Sequence, residues 1–330
     1  MGEARTYDVL CVGLAVGNVV VRPASPAIFD VDTTQVEEIA IMGGGDAFNQ
    51  AGVLSKLGDR VGLVSRMAED GSGQIMLREM ESRGVDTSLV AMDESLGTST
   101  CVIMVREDGQ RVFCTYKGCL RTFGNGDIDL SIVKNTRVVS IGGLFALPSF
   151  DRETSIELFK AAKENGAITV CDTKYDAFHI GLAGIGDLLS YTDYFFPSYD
   201  EAAYLSGLRE PAEIAGFFRD RGAENVGIKL GGDGCYVLCD EFEGRIPAFH
   251  VPVVDTTGAG DNFMGGFIHG LLRGWGMKDC ATFASAVSAL AVTVVGPRNE
   301  ALRLEKVYEV LQQTPESRRF AEEVMNDAGK

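Results

Sequence analysis

Residues 249–272 read FHVPVVDTTGAGDNFMGGFIHGLL, and three textures follow one another within them. Phe249 to Val254 is an apolar run that predicts a strand. Gly258, Ala259 and Gly260 form a small-residue turn. Phe263, Phe267, Ile268, Leu271 and Leu272 then recur at helical spacing and predict a helix from Gly260 to Leu272. The first N–H groups of a helix have no partner within it, and its dipole favours negative charge at that end. A glycine-led helix start is therefore a place to hold an anion. Asp261 falls in the first helical turn, beside that place. A carboxylate there is costly unless it has a task. Accepting a proton from an attacking hydroxyl is one such task; capping the helix after a tight turn is another. The segment alone leaves both open.

A second helix start of the same kind is Gly43-Gly44-Gly45-Asp46-Ala47-Phe48-Asn49-Gln50-Ala51. Bare glycine backbone lets a ligand approach closely, and Asp46 and Asn49, three apart, share a helix face. An acceptor and an amide in that setting suit a polyhydroxylated ligand, while a plain N-cap on a glycine turn is the alternative. Short apolar runs and helical patterns alternate elsewhere. Strands are predicted at 7–13, 61–64, 138–141, 168–171, 194–196, 226–230 and 235–238. Helices are predicted at 47–57, 73–83, 155–164, 200–205, 212–221, 278–293 and 305–312. That order implies an α/β fold, a doubly wound and mostly parallel sheet flanked by helices. Residues 98–116 carry a hairpin pattern, with a turn at Glu107-Asp108-Gly109. With the edge strands and loops of 19–40 they predict a small separate β-sheet. No linker interrupts the chain, so 1–330 reads as one domain. The polar stretch 316–330 is expected to fray.

Thirty lysines and arginines face 47 aspartates and glutamates across 330 residues, a net charge of −17. That balance argues against a general nucleic-acid binder, which needs a basic face. No apolar run reaches membrane-spanning length and no signal peptide is visible. Met1-Gly2-Glu3-Ala4-Arg5-Thr6 fits the loose myristoylation pattern, but a strand follows immediately. Cys11, Cys101, Cys114, Cys119, Cys171, Cys235, Cys239 and Cys280 include no C-x-x-C pair. They read as reduced core residues of a cytoplasmic protein. His179, His250 and His269 show no zinc spacing. There is no G-x-x-x-x-G-K-[ST] loop. Gly43 to Gly45 fails the dinucleotide spacing, and Gly71-Ser72-Gly73 reads as a turn.

Taken together, D-T-T-G-A-G-D at 255–261 and G-G-x-x-x-N at 44–49 resemble the two signatures of the ribokinase-like (PfkB) carbohydrate kinases, and the resemblance runs along nearly the whole chain. It implies an ATP-dependent kinase acting on a sugar hydroxyl with Mg²⁺. By the same resemblance Asp261 is the catalytic base, and Gly258, Ala259 and Gly260 offer N–H groups to the transferring phosphoryl. Gly44, Gly45 and Asn49 hold sugar hydroxyls, with Asp46 a further candidate. Lys229, Gly231 and Gly234 lie by the nucleotide. Asp255 and Thr257 match positions where the family often binds a monovalent cation such as K⁺. The segments at about 14–40 and 95–120 would be a lid over the sugar, and the surface of a homodimer.

Three positions depart from the pattern. Asn18 stands where the family usually has an aspartate gripping the sugar. Ser198 replaces the asparagine of N-x-x-E, leaving Glu201 with an indirect link to Mg²⁺. Asp172-Thr173-Lys174-Tyr175-Asp176 stands for a D-x-N-x-R-like stretch, in which Lys174 is either a phosphate contact or a solvated loop residue. Arg111, Tyr116 and Lys117, on or after the second hairpin strand, would suit an acidic sugar if they face it. Two other readings stay open. Phe48, Phe113 and Phe123 could form a base slot in a nucleoside kinase. Asn18 and Ser198 could mark a kinase-fold sensor that binds without turnover.

Overall fold

The computed structural model describes residues 6–108, 110–294, 296 and 301–328. The chain opens with β1 (Tyr7–Gly13), β2 (Val16–Arg22), β3 (Glu38–Gly44), α1 (Asp46–Lys56), β4 (Val61–Val64), β5 (Arg66–Ala68) and α2 (Gly71–Ser82). Next come β6 (Ala91–Asp93), β7 (Thr100–Val105), β8 (Arg111–Tyr116), β9 (Thr136–Leu144), α3 (Glu153–Glu164), β10 (Ile168–Thr173) and α4 (Gly181–Gly184). They are followed by β11 (Tyr194–Phe195), α5 (Tyr199–Ser206), α6 (Pro211–Arg219), β12 (Asn225–Lys229), β13 (Cys235–Leu238) and β14 (Glu243–Ile246). Four helices close the chain: α7 (Ala259–Leu272), α8 (Met277–Ala291), α9 (Leu304–Leu311) and α10 (Pro315–Ala328).

Eight strands form one sheet in the order β14-β13-β12-β11-β10-β9-β1-β4. It is parallel from β4 to β12 and antiparallel at β13 and β14. Successive strand residues point to opposite faces, so β1 feeds two cores. Val9 and Cys11 join Ala47, Leu54, Phe267 and Leu271 on the α1–α7 side. Leu10 and Val12 join Leu158, Phe159, Ile214 and Phe218 on the other. Both faces being covered explains why the strands read as unbroken apolar runs. Helix α7 is buried along nearly its whole length, between α1 and α8, as its apolar composition requires.

A second sheet has the order β3-β2-β7-β8. Its register sets two apolar rows on one face: Ile41, Val19, Val102 and Cys114, then Ile39, Val21, Met104 and Val112. Asn18, Val20, Met42, Ile103 and Arg111 lie on the opposite face and line a cavity against residues 253–257. β5 and β6 form a third, two-stranded sheet.

Several local expectations are corrected. Among the described residues Phe249 to Val254 pairs with no strand; the Val254 N–H instead donates to the Val292 carbonyl beyond α8 (2.7 Å). Gly71 to Gly73 is the first turn of α2, because the Asp70 carboxylate caps it at the Gly73 N–H (2.8 Å). Cys114 is exposed on β8, while the other seven cysteines are buried and none is in a disulfide. Residues 315–328 form α10, held by Phe320 against Trp275 with ring centroids 5.0 Å apart. Gly109 of the hairpin turn and residues 1–5 of the myristoylation pattern lie outside the described residues. Among the described residues no helix is long and apolar enough to cross a membrane.

Candidate active site

The two glycine-led helix starts meet beyond the C-terminal ends of the parallel strands, where open α/β sheets bind ligands. Gly265 of α7 packs against Val53 of α1 with no room for a side chain, which lets the two helices approach closely. Gly45 precedes α1 with φ +95°, a conformation that strains other residues, and a Cβ there would sit 2.5 Å from the Leu14 carbonyl oxygen. The result is a direct link between the motifs: Asn49 Nδ2 donates to Asp261 Oδ2 at 2.6 Å. The Asn18 amide lies against the Gly44 α-carbon, which places Asn18 beside the glycine turn that leads into α1.

Asp46, Asp172 and Asp261 are all buried, each with an oxygen within 4.8 Å of the others. Two ammonium groups balance them. Lys174 Nζ lies 2.9 Å from Asp46 Oδ1, and Lys229 is paired with Asp172. Burial, reinforced by Asp46, pushes the Asp261 pKa up to about 8, against the pull of Lys174 and Asn49. Burial pushes Asp172 up to about 6, opposed chiefly by Lys229. Asp46 holds the Lys174 pKa above its ordinary value. Lys174 is therefore ion-paired into this carboxylate cluster, although its side chain is about half exposed. The D-x-K pattern at the end of β10 was the signal for both Asp172 and Lys174.

At the start of α7, Gly258 takes the left-handed conformation (φ 75°) as N-cap. The Ala259 N–H donates to the Thr256 carbonyl (3.2 Å), so it is shared with the turn, whereas Gly260 and Asp261 are first-turn positions whose amides have no helical acceptor. Lys229 Nζ stands beside Gly260, 3.4 Å from where a Cβ would be. Two residues absent from the sequence-based set brace this turn. Asn262 Nδ2 donates to the Gly258 carbonyl and Ser288 Oγ to the Ala259 carbonyl, both at 2.9 Å. A cavity of about 390 Å³ opens here, lined by Lys229, Gly231, Gly234, Gly260 and Ser288 among others. A cavity of about 300 Å³ lies on the other side, against the second sheet, and Val253 and Thr256 wall both.

Ser198 and Glu201 form the capping box of α5. Ser198 is the N-cap of α5, and Glu201 Oε2 accepts from its N–H (3.0 Å) and from Thr173 Oγ1 (2.8 Å). Neither lines the larger cavity. Asp255 Oδ1 accepts from the Thr257 N–H (2.9 Å) and Oγ1 (2.7 Å), and Oδ2 from the Gly296 N–H (2.9 Å). Arg111 reaches across from β8 to both residues, with Nη1 3.3 Å from Asp255 Oδ1 and in contact with Thr257 Oγ1. Phe48 and Phe123 are core residues; of the three phenylalanines considered for a base slot only Phe113 is accessible.

The site thus sets a buried carboxylate at a glycine-led helix start, flanked by a lysine. Residues 7–303 match the pfkB family of carbohydrate kinases, and the chain belongs to that family. It is similar to a 5-dehydro-2-deoxygluconokinase of Clostridium perfringens, 28% identical over 290 residues, covering 83% of this chain and 85% of that protein. It is also similar to the 2-dehydro-3-deoxygluconokinase of Bacillus subtilis, 29% identical over 258 residues, with 75% and 80% covered. The fold matches the crystal structure of ribokinase from Thermotoga maritima with a TM-score of 0.78 at 24% identity, covering 93% of this chain and all of that one. The chain is a carbohydrate kinase with a ribokinase-like fold.

Proposed function

We propose that this enzyme transfers the γ-phosphoryl group of ATP to a hydroxyl of a sugar, with Asp261 as the base. The observation that carries this is the Asn49–Asp261 hydrogen bond, which joins the two helix starts at a buried carboxylate. Asp261 takes the hydroxyl proton, the sugar oxygen bonds to the γ-phosphorus, and the bond from that phosphorus to the leaving ADP oxygen breaks. The Gly258–Gly260 amides and the Lys229 ammonium face the charge that develops, as phosphoryl transfer requires. Gly44, Gly45, Asn18, Asn49 and Asp46 hold the sugar. The nucleotide takes the larger cavity, against Gly231 and Gly234.

The buried carboxylates suit Mg²⁺, which prefers oxygen donors and keeps several waters. Asp172, which Lys229 engages through Oδ1 only, is the residue to hold it through its other oxygen, with Glu201 behind it, and it would neutralise phosphate charge there. The K⁺ expected at Asp255 and Thr257 does not fit, because a guanidinium already stands on both.

The named relatives act on sugar acids, yet Arg22, Arg111, Lys174 and Lys229 are each matched by a carboxylate. That pairing favours an uncharged sugar over an acid. A nucleoside acceptor loses support with Phe48 and Phe123 in the core. The second sheet acts as lid, and its outward apolar rows pair two copies in a homodimer. Eight unpaired thiols suit a reducing cytoplasm.

The test is ADP release from ATP and Mg²⁺ with neutral sugars, sugar acids and nucleosides, the Asp261→Asn variant run in parallel. Turnover with a neutral sugar, lost in the variant, is the expected result. Turnover only with sugar acids would overturn the substrate class. Ligand-induced shifts in melting temperature without turnover by the wild type would favour a sensor.

A further inference from the structure

The contact of Arg111 with Asp255 and Thr257 joins parts of the molecule far apart in sequence. Arg111 begins β8, the outermost strand of the second sheet, and Asp255 lies three residues before the N-cap of α7. Asp255 is half-buried, and its three hydrogen bonds from Thr257 and Gly296 fix the path of residues 255–257 into the α7 start. Those bonds use backbone and hydroxyl donors, so they leave a full negative charge beside the amides that must receive a phosphoryl group. An uncompensated charge at that place opposes phosphate binding. The guanidinium supplies the compensation, at 3.3 Å from Oδ1, and it arrives on the sheet that forms the far wall of the roughly 300 Å³ cavity.

We propose that Arg111 is a positioning residue that serves as a built-in cation: its guanidinium neutralises Asp255 under the phosphate cradle when the second sheet closes over the sugar, and turnover needs no free monovalent ion. This rests on the kinase reading above. It makes two events one, because the sheet that covers the acceptor also carries the charge that readies the cradle. A chain lacking this guanidinium would have to take a small cation from solution at the same carboxylate and hydroxyl oxygens.

The experiment compares wild type, Arg111→Met and Arg111→Lys in potassium and in choline chloride at equal ionic strength, by turnover and by melting temperature. Wild-type kcat should agree within about twofold between the salts. Arg111→Met should lose at least about tenfold in kcat in choline, with a smaller change in the sugar KM, and recover on adding K⁺ or millimolar guanidinium; Arg111→Lys should fall between. The melting temperature of Arg111→Met should rise in K⁺ relative to choline and that of wild type should not, a readout that needs no sugar turnover. Wild-type kcat that collapses in choline, or an Arg111→Met variant with wild-type kcat there, overturns the proposal. A loss that neither cation restores also overturns it, leaving Arg111 a purely structural contact. Wild type inactive with every sugar, but with the melting shifts as stated, would refute the kinase reading and leave the cation assignment standing.

Discussion

Replacing Asp261 by asparagine should make the protein more stable while nearly abolishing its activity. The carboxyl is buried beside Asp46 and Asp172, and that burial, reinforced by Asp46, pushes its pKa up to about 8, far above the ordinary carboxyl range. A raised carboxyl pKa means the folded state holds the proton more tightly than the unfolded chain. That stabilisation is present below about pH 4 and is lost as pH rises through 8. At about 1.4 kcal/mol per pKa unit, the shift corresponds to at most about 6 kcal/mol above pH 8. Asparagine removes the charge and can still accept from Asn49 Nδ2. If half of the cost is recovered, the gain is about 3 kcal/mol, or roughly 3–6 °C in melting temperature for a chain of this length. The loss of a positioned base costs about 10²- to 10⁴-fold in turnover. The assay is thermal unfolding of both proteins without metal or nucleotide from pH 5 to 9, beside steady-state kinetics with Mg²⁺. A stability gain that does not grow with pH, or a variant less stable at pH 8.5, would refute the electrostatic reasoning. Undiminished phosphorylation would refute the assignment of the base.

Asp151 is buried, accepts from the Leu147 N–H through Oδ2 (3.0 Å) and has no hydrogen-bond partner for Oδ1 among the described residues. Burial raises its pKa to about 7, so wild-type stability should fall between pH 4 and 7 and Asp151→Asn should flatten that slope in urea titrations. Gly45→Ala should lower the melting temperature by several degrees, since a positive φ alone costs about 1–3 kcal/mol and the Cβ would meet the Leu14 carbonyl; unchanged stability would show that the α1 start can shift. Ile41→Asp places a charge in the outward apolar rows of the second sheet. Light scattering should show a dimer for wild type and a monomer for the variant, and a monomeric wild type would refute the pairing.

Much of the fold was legible because its signals are local. Apolar runs of strand length and apolar residues at helical spacing recur along the chain, and most predicted elements agree with the structure to within a few residues. The failures are instructive. Phe249 to Val254 has a strand's composition but finds no partner edge, so it becomes the wall between two cavities. The 316–330 stretch is polar overall, and its buried face, Ser317, Phe320 and Ala321, shows only once Phe320 packs on Trp275.

The sequence by itself determined the α/β class and the two glycine-led helix starts with Asp261 and Asn49 in their first turns, since period, turn chemistry and motif spacing are properties of neighbouring residues, whereas Lys229 stood out only through the family resemblance. Tertiary structure alone decided the charges that face one another. Asn49 reaches Asp261 across 212 residues, Arg111 reaches Thr257 across 146, and Lys229 reaches Asp172 across 57. No local pattern encodes such pairs. The burial that raises the pKa of Asp261, and the guanidinium that stands where a free cation was expected, exist only once distant strands have folded against the same helix start.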